Sequence, residues 1–321
     1  MRRALRLAEK GSGFALPNPM VGAVIVKDDK RIGEGYHNKF GEPHAEVMAL
    51  ENCTSSTEGA TLYVTLEPCD HEGKTPACTK AIIESGIKKV IIASSDPSRN
   101  GAEVLRKAGL EVEIGLLEDA AIKLNRDFFT FHEKKRPFIT LKAALSLDGK
   151  ISKNRESATK ITSELSQKLS HVLRHKHHAI LVGAGTVLSD DPNLGVRLID
   201  GRDPMRIVWK GERELPKTAQ IFRDQNFHIS KAKDVSELMD ELFEMGIVSL
   251  LVEGGSKVHS QFINEELWDE IKLFFGPQLL GNNAVPFFEG DLQSSLRIQN
   301  VRQCGPDLLV TATPSWDSDI T

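Results

Sequence analysis

Segments with strand character alternate with segments of helical spacing along this chain, and that alternation restricts its fold more than any other feature. In the first part, runs rich in apolar and β-branched residues predict strands at 21–27, 61–66, 89–93 and 111–114. Helices are predicted at 2–10, 44–50, 77–85 and 104–108. A turn at 28–30 leads into another strand at 31–37, which predicts a hairpin. This order predicts a three-layer α/β/α domain with a mixed sheet.

The same alternation resumes after a basic stretch, Lys134 to Pro137, which is predicted to be the linker. Strands are expected at 138–145, 179–182, 205–209, 247–252 and 308–312, and helices at 165–174, 234–245 and 256–264. A chain of 321 residues is long enough for two domains. We therefore predict an α/β fold with two domains, residues 1–134 and residues 135–321.

Composition excludes several classes of protein. With 41 Lys and Arg against 45 Asp and Glu, the net charge of −4 argues against a protein held to nucleic acid by bulk charge. No apolar run approaches the roughly 18–20 residues of a membrane span, and the N-terminus has no signal-peptide pattern. Four cysteines are too few for a disulfide scaffold and fit a reducing compartment. We expect a cytoplasmic protein without a membrane or nucleic-acid partner.

The strongest chemical signal is His44-Ala45-Glu46 followed by Pro68-Cys69 and then Cys78. One imidazole and two thiolates are good zinc ligands, and three protein ligands leave the fourth position for a water. Zinc lowers the pKa of that water towards neutrality. Glu46 is placed to shuttle a proton beside the metal without binding it. This order matches the zinc deaminase signature, except that the second Cys stands nine positions after the first instead of three.

Two other interpretations of these residues remain open at this point. A structural zinc site would need a fourth protein ligand, for which His71 is the candidate. Alternatively, Cys69 and Cys78 are core thiols that bind no metal. Cys53 and Cys304 have no metal partner in the sequence and are interpreted as ordinary thiols.

The long-spaced cysteine segment 69–78 resembles that of the bacterial bifunctional riboflavin-biosynthesis enzymes. These are the diaminohydroxyphosphoribosylaminopyrimidine deaminase/5-amino-6-(5-phosphoribosylamino)uracil reductases. Segments 17–22, Pro-Asn-Pro-Met-Val-Gly, and 35–46 match the same family. The resemblance implies a cytidine-deaminase-like first domain that deaminates 2,5-diamino-6-ribosylamino-4(3H)-pyrimidinone 5′-phosphate. By the same resemblance, the positions that hold this substrate are Asn18, His37, His71 and Lys74.

The chain departs from the family after Asp96-Pro97, where the family has an asparagine that contacts the substrate. That asparagine is missing here, and Ser98 and Asn100 are the candidates to replace it.

The second half resembles the family's dihydrofolate-reductase-like domain through segments 141–150, 183–186, 190–192 and 252–256. The glycines permit a close backbone approach to a cofactor. Gly254-Gly255 precedes a predicted helix, and the N-terminus of a helix is a suitable binding site for a pyrophosphate. The resemblance implies that NADPH reduces the ribosyl group of the substrate to a ribityl chain by hydride transfer. It implies substrate contacts at Arg174, Leu194, Arg197 and Glu253. It implies cofactor contacts at Leu145, Lys160, Thr186, Asp190, Gly255, Ser256 and Lys257.

Lys160 stands where the family has an aromatic residue, which favours weaker NADPH binding. The run His171, His175, His177 and His178 could form a second metal site, but surface or partly buried histidines at a helix end are the preferred interpretation. We expect a bifunctional, zinc- and NADPH-dependent enzyme, with homo-oligomerisation left open. The alternatives are a zinc deaminase with an impaired reductase domain, a nucleic-acid base deaminase, and a non-enzymatic module with structural zinc. The pI near 6.2 and the 6% aromatic content disfavour the nucleic-acid deaminase.

Overall fold

The computed structural model describes residues 1–71, 76–157, 159–291 and 295–315. The chain folds as two compact units, Met1–Lys134 and Lys135–Thr321. Each unit combines helices with a sheet, so the predicted α/β fold class is confirmed. Every helix in the described part of the chain is too short or too polar to cross a membrane.

The sheet of the first unit is mixed, as predicted. Its strands are β1 (Gly22–Lys27), β2 (Lys30–Tyr36), β3 (Thr61–Leu66), β4 (Lys89–Ser94) and β5 (Glu111–Ile114). They lie in the order β2-β1-β3-β4-β5. β1 is antiparallel to β2 and β3, whereas β3, β4 and β5 are parallel. Asp28 and Asp29 adopt φ values of 49° and 60°, the left-handed geometry that a tight β1–β2 hairpin turn demands.

Six helices accompany this sheet in the described residues: α1 (Arg2–Ala8), α2 (Ala45–Glu51), α3 (Cys78–Glu84), α4 (Gly101–Lys107), α5 (Glu118–Leu124) and α6 (Arg126–Lys134). A 3-10 turn, Glu9–Gly11, extends α1. The apolar residues of β1, β3 and β4 pack with those of α2, α3 and α4, so the motif-bearing helices are fixed directly to the sheet. The sequence pattern does not predict α5 and α6, because α5 begins after a left-handed Leu117 instead of a capping side chain.

The strands of the second unit are, in chain order, β6 (Phe138–Ser146), β7 (Lys150–Ser152), β8 (Ala179–Gly183), β9 (Met205–Trp209), β10 (Phe227–Ser230), β11 (Ser249–Val252), β12 (Glu270–Gly276), β13 (Val285–Pro286), β14 (Leu296–Cys304) and β15 (Asp307–Pro314). The main sheet has the order β10-β9-β8-β11-β6-β12-β15-β14. The strands from β10 to β12 are parallel, and β15 and β14 follow antiparallel. β7 and β13 pair separately.

The helices of this unit are α7 (Glu164–Lys176), α8 (Ala184–Asp190), α9 (Val235–Glu244) and α10 (Ser256–Asn264), with a 3-10 turn at Gln220–Phe222. Parallel strands β8, β9, β10 and β11 end at the same edge of the sheet, so the segments that follow them are brought together there. Those segments include Gly183 to Thr186 and Glu253 to Lys257, both singled out in the sequence.

Candidate functional site

The first unit brings three metal-ligating side chains together at the amino ends of two helices. His44 is the cap residue of α2, Cys78 is the first residue of α3, and Cys69 follows β3. Their ligand atoms all lie within 4.8 Å of one another. His44 Nδ1 is 3.2 Å from Cys78 Sγ and 3.5 Å from Cys69 Sγ. Ligands of a tetrahedral zinc ion stand about 3.3–3.8 Å apart, as follows from Zn–N and Zn–S bond lengths, so the donor set fits zinc.

The two thiols of this cluster differ in acidity because they share a hydrogen bond. The hydrogen bond from Cys78 lowers the pKa of Cys69 to about 4, and His44 and the backbone N–H of Cys78 reinforce the shift. The same hydrogen bond, together with burial, raises the pKa of Cys78. A dication would displace the shared proton, because thiolates are the metal-binding form of cysteine. Metal binding by the cluster would therefore release this one proton.

Glu46 lies beside this cluster, in the first turn of α2, and is 3% exposed. Burial raises the pKa of its carboxyl group to about 6. The metal-binding group of the described residues contains His44, Cys69 and Cys78 but not Glu46. A carboxyl group that takes up and releases a proton near neutral pH, next to a metal site but outside it, suits general acid–base work.

His71 does not complete the cluster as a fourth ligand. Its side chain is 45% exposed, and its Nδ1 lies 3.8 Å from the carboxylate of Asp70. Among the residues that the structure describes, the cluster stops at three ligands. That arrangement favours an open metal site over the structural site considered from the sequence.

Asn18 and His37 lie next to the metal ligands. The ring of His37 contacts that of His44 edge-on, with 5.3 Å between ring centroids. His37 Nδ1 is 3.3 Å from the carbonyl oxygen of Pro43, and Nε2 is 3.1 Å from the Asn18 side-chain amide. Burial lowers the pKa of His37, so the ring is neutral. Since a carbonyl only accepts, Nδ1 carries the proton and Nε2 accepts from Asn18 Nδ2.

Lys74, predicted to hold substrate, lies outside the described residues.

Ser98 and Asn100, the candidates to replace the substrate-binding asparagine of the family, lie in the loop formed by residues 96–101. Ser98 donates from both its backbone N–H and its hydroxyl to Asp96, and Asn100 caps α4. The buried carboxylate of Glu67 fastens this loop by accepting from the backbone N–H groups of Asp96 and Ala102.

The second unit contains a cleft of about 1340 Å³ at the carboxyl edge of its parallel strands. The predicted cofactor and substrate residues that line it are Thr186, Asp190, Glu253, Gly255, Ser256 and Lys257. Five other predicted residues are not part of its lining: Leu145, Lys160, Arg174, Leu194 and Arg197. Leu145 is buried in β6, and Lys160 has an exposed side chain whose backbone oxygen accepts from Gln278.

Two residues of the cleft lining, Lys142 and Glu253, belong to a buried group of three charges. Glu253 follows β11 and accepts from Arg174 Nε at 3.1 Å and from Arg174 Nη2 at 2.8 Å. Lys142 Nζ, from β6, lies 3.6 Å from the same carboxylate. Although burial works in the opposite direction, the charges of Arg174 and Lys142 lower the pKa of Glu253 to about 2. Burial lowers the pKa of Lys142, which makes its ammonium group a better proton donor.

Lys142 is not among the functional residues predicted from the sequence, although the sequence contains a signal for it. The lysine interrupts an apolar strand, and buried residues flank it on β6. A charge in the middle of a buried strand requires a partner, and such residues concentrate at functional sites.

Helix α7 connects the charged group to the loop that carries the other predicted substrate residues. Arg174 Nη1 donates to the carbonyl of Gly195 at 3.2 Å, and His171 Nδ1 accepts from the backbone N–H of Arg197 at 3.0 Å. Leu194 is buried at a left-handed φ of 57°. Arg174, Leu194 and Arg197 thus belong to one connected region, which Arg174 links to the cleft residue Glu253.

The run of histidines on α7 and after it is used for hydrogen bonding. His175 accepts from the backbone N–H of Arg202, His177 Nε2 contacts the hydroxyl of Thr140, and His178 accepts from the backbone N–H of Val248. None of these histidines joins a metal-binding cluster within the described ranges. The sequence predicted surface or partly buried histidines here, but His171, His175 and His177 are buried, because their rings make hydrogen bonds inside the unit.

Comparison with protein families matches both units. Residues 1–94 match the model of the cytidine and deoxycytidylate deaminase zinc-binding region, and residues 137–310 match the RibD C-terminal domain. The riboflavin biosynthesis protein RibD of Aquifex aeolicus is 41% identical over 97% of this chain and 96% of its own length. That of Bacillus amyloliquefaciens is 38% identical over 99% of this chain and 96% of its own length.

Solved structures show the same similarity over the whole chain. Acinetobacter baumannii RibD superposes with a TM-score of 0.94 at 34% identity, covering 98% of this chain and 97% of that one. A deaminase/5-amino-6-(5-phosphoribosylamino)uracil reductase from Thermotoga maritima superposes with a TM-score of 0.89 at 41% identity and the same coverage. These matches therefore extend through both the metal cluster and the cleft.

Proposed function

Since this chain belongs to the RibD family of riboflavin biosynthesis proteins, we propose a division of labour between its two units. The chain is a bifunctional deaminase and reductase of riboflavin biosynthesis. In our proposal, residues 1–134 deaminate 2,5-diamino-6-ribosylamino-4(3H)-pyrimidinone 5′-phosphate, and residues 135–321 reduce the ribosyl group to a ribityl chain. The observation that carries the proposal is the three-ligand metal cluster with the protonatable Glu46 beside it.

In the deaminase unit, His44, Cys69 and Cys78 would hold Zn²⁺. When bound there, the ion would supply an ionised water as nucleophile at neutral pH. Glu46 accepts the proton of that water and passes it to the amino group that leaves as ammonia. The carboxyl group suits both steps because burial holds its pKa at about 6, close to the pH of the reaction.

Substrate binding in this unit is assigned to the neighbours of the metal cluster. Neutral His37 is fixed by Pro43 and Asn18, so the remaining amide hydrogen and the carbonyl oxygen of Asn18 are available to the pyrimidine. His71 and Lys74 are proposed to bind the ribose phosphate as a hydrogen-bond donor and a point charge.

In the reductase unit, NADPH bound in the cleft would supply the hydride for C1′ of the open-chain imine. Reduction also requires a proton donor close to the substrate. Lys142 is the proposed donor, because it lines the cleft, burial lowers its pKa, and Glu253 orients its ammonium group. Thr186, Asp190, Gly255, Ser256 and Lys257 are the proposed cofactor contacts.

Glu46→Gln tests the deaminase assignment. The amide keeps the shape of the side chain but cannot shuttle a proton, so ammonia release should fall at least about a hundredfold. Zinc content, measured by atomic absorption, should remain near one ion per chain. Glu51→Gln is the matched control, because this exposed glutamate ends the same helix. Full activity of Glu46→Gln would show that the proton shuttle is assigned to the wrong residue.

A further inference from the structure

Asn125 is a buried polar residue at the junction of α5 and α6, and it is 1% exposed. Both helices fix its backbone. Its N–H donates to the carbonyls of Ala121 and Ile122, and its own carbonyl accepts from the N–H of Phe129. Neither helix carries a site residue predicted from the sequence. The side chain of Asn125 therefore starts from a rigid base, and its contacts show what the two helices contribute to the unit.

The side-chain amide of Asn125 pairs with the backbone of Met20, 105 positions away in the chain. Oδ1 accepts from the Met20 N–H at 2.8 Å, and Nδ2 donates to the Met20 carbonyl at 2.9 Å. An asparagine amide offers an acceptor and a donor side by side, so the two bonds fix both the position and the orientation of Met20. This matters because residues 18–21 lie outside the helices and strands and have no regular ladder of hydrogen bonds.

The position of Met20 determines that of Asn18, which stands two residues earlier in the chain. Pro19 lies between them, and its ring holds its own φ at about −65°. The same ring restricts the preceding residue, Asn18, to extended backbone. Few backbone torsions are left to absorb a shift of Met20, so Asn18 would move with it.

The next residue of this segment is held from the side of the metal ligands. The carbonyl of Val21 accepts from the backbone N–H of His37 at 2.9 Å. The ring of His37 contacts the ring of His44 and accepts from Asn18 at 3.1 Å. The segment is therefore fastened by Asn125 at one residue and by His37 at the next.

Apolar packing brings α6 against the same segment. Phe128 and Phe129 of α6 are buried together with Leu66, the last residue of β3. Val21 packs against this group. Apolar contact is not directional, so it keeps the helix on the segment without fixing the orientation of the backbone. The two hydrogen bonds of Asn125 supply that direction.

We propose that Asn125 is a positioning residue of the deaminase unit, which fixes Met20 so that Asn18 is correctly placed for the pyrimidine of the substrate. This inference rests on the proposed deaminase function, because that function makes Asn18 a substrate contact. Asn125 acts through the segment 18–21 and does not touch the substrate. Its loss therefore weakens substrate binding more than it affects proton transfer by Glu46, which lies on α2.

The test compares steady-state ammonia release by full-length variants. Asn125→Asp keeps the shape of the side chain and the acceptor for the Met20 N–H, but it sets a carboxylate oxygen against the Met20 carbonyl. Asn125→Ala removes both bonds. Asn52→Ala is the matched control, because Asn52 also ends a helix and also donates to a backbone carbonyl, that of Glu34. Zinc content, and NADPH oxidation with the deaminated pyrimidine, are measured on each preparation.

Both Asn125 variants should raise KM for the diaminopyrimidine ribosyl phosphate about tenfold, which corresponds to the loss of about one hydrogen bond. Their kcat should change by less than about threefold, because the lost interaction serves binding. Zinc content and NADPH oxidation should match those of the wild-type chain. Asn52→Ala should keep the wild-type KM.

A double variant tests whether Asn125 acts through Asn18. Asn18→Ala/Asn125→Ala should have the same KM as Asn18→Ala, because Asn125 makes no substrate contact of its own. Three results would overturn the inference and leave the deaminase function standing: an unchanged KM in the single Asn125 variants, KM increases that multiply in the double variant, and loss of zinc from both single variants. Absence of ammonia release by the wild-type chain would overturn the deaminase function itself.

Discussion

The acidity of Cys69 follows from its surroundings. Its sulfur faces Cys78 Sγ, the backbone N–H of Cys78 and His44 Nδ1, and together these groups favour a thiolate. Cys53 shows the opposite behaviour, because burial raises the pKa of its thiol and its Sγ donates to the carbonyl of Ala49. The two cysteines lie in the same unit, so they form a matched pair for measurement.

Cys69→Ala should reduce the zinc content of the purified chain from about one ion to close to zero, because two remaining ligands cannot hold the metal tightly. Cys53→Ala should keep its zinc. The zinc content of both variants is measured by metal analysis after dialysis against a weak chelator. Retention of zinc by Cys69→Ala would mean that the ion is bound elsewhere.

Lys142 and Lys272 stand opposite each other on β6 and β12, and both have a carboxylate partner. Only Lys142 lines the cleft. Lys142→Met should therefore slow NADPH oxidation about a hundredfold through loss of the proton donor, whereas Lys272→Met should leave the rate nearly unchanged. Steady-state rates with the deaminated pyrimidine phosphate measure the difference. An equal loss in both variants would indicate that Lys142 serves stability alone.

At the scale of single elements, α7 depends on a buried carboxylate from a distant strand. Asp307, at the start of β15, accepts from the backbone N–H and the hydroxyl of Ser163 and from the hydroxyl of Ser166. Ser163 is the cap residue of α7, which carries His171 and Arg174. The carboxylate thus fixes the helix that holds one side of the charged group in the cleft.

Asp307→Ala should lower the free energy of unfolding by roughly 2–4 kcal/mol, because it leaves several buried donors without their charged acceptor. Asp240→Ala removes an exposed carboxylate from α9 and should change stability by less than about 0.5 kcal/mol. Urea denaturation curves compare the two. A loss below 0.5 kcal/mol for Asp307→Ala would contradict the anchoring role.

The sequence pattern predicts best those elements whose periodicity reflects burial. β3, β9 and α10 have the predicted bounds, and each contains several buried residues. β5 also has the predicted bounds, although none of its residues is buried. β14 was missed, since all of its residues except Cys304 are exposed and no alternation marks it. Its pairing with β15, a tertiary interaction, creates the strand.

The candidate site residues also differ in how well the sequence predicts them. The three side chains that form the candidate metal cluster could be selected from the sequence, because zinc requires particular side chains at recognisable spacing. The pairing of Lys142 with Glu253 was not found, since the residues are 111 positions apart and meet only through the parallel neighbours β6 and β11.

At the scale of the whole molecule, the reductase unit contains buried histidines that stay neutral. Burial lowers the pKa of His171 and His178 to about 4 and that of His259 to about 3. In the unfolded chain their pKa is near 6.5. Between pH 6.5 and about 4 the unfolded state therefore binds more protons than the folded state, and stability falls as the pH is lowered.

We expect the melting temperature of the second unit to fall by several degrees between pH 7 and pH 5. The three tryptophans of the chain, at positions 209, 268 and 316, all belong to this unit, so tryptophan fluorescence follows its unfolding selectively. A melting temperature that stays constant or rises over this range would contradict the neutral burial of these histidines.

Each of the two activities should depend on its own unit. Glu253→Gln should abolish NADPH oxidation and leave ammonia release unchanged, because the metal cluster lies wholly within residues 1–134. Glu46→Gln should lose ammonia release. When it is supplied with the deaminated pyrimidine, its NADPH oxidation should be unchanged. Parallel assays of both variants measure this separation. Loss of both activities in either variant would indicate one shared site.

Ammonia and NADPH can be followed together in one reaction of the wild-type chain with the diaminopyrimidine ribosyl phosphate. We predict that ammonia release begins at once, that NADPH oxidation follows after a lag, and that both reach one equivalent per substrate. Ammonia release with no NADPH oxidation at any time, or oxidation that precedes ammonia release, would contradict the assignment of deamination followed by reduction.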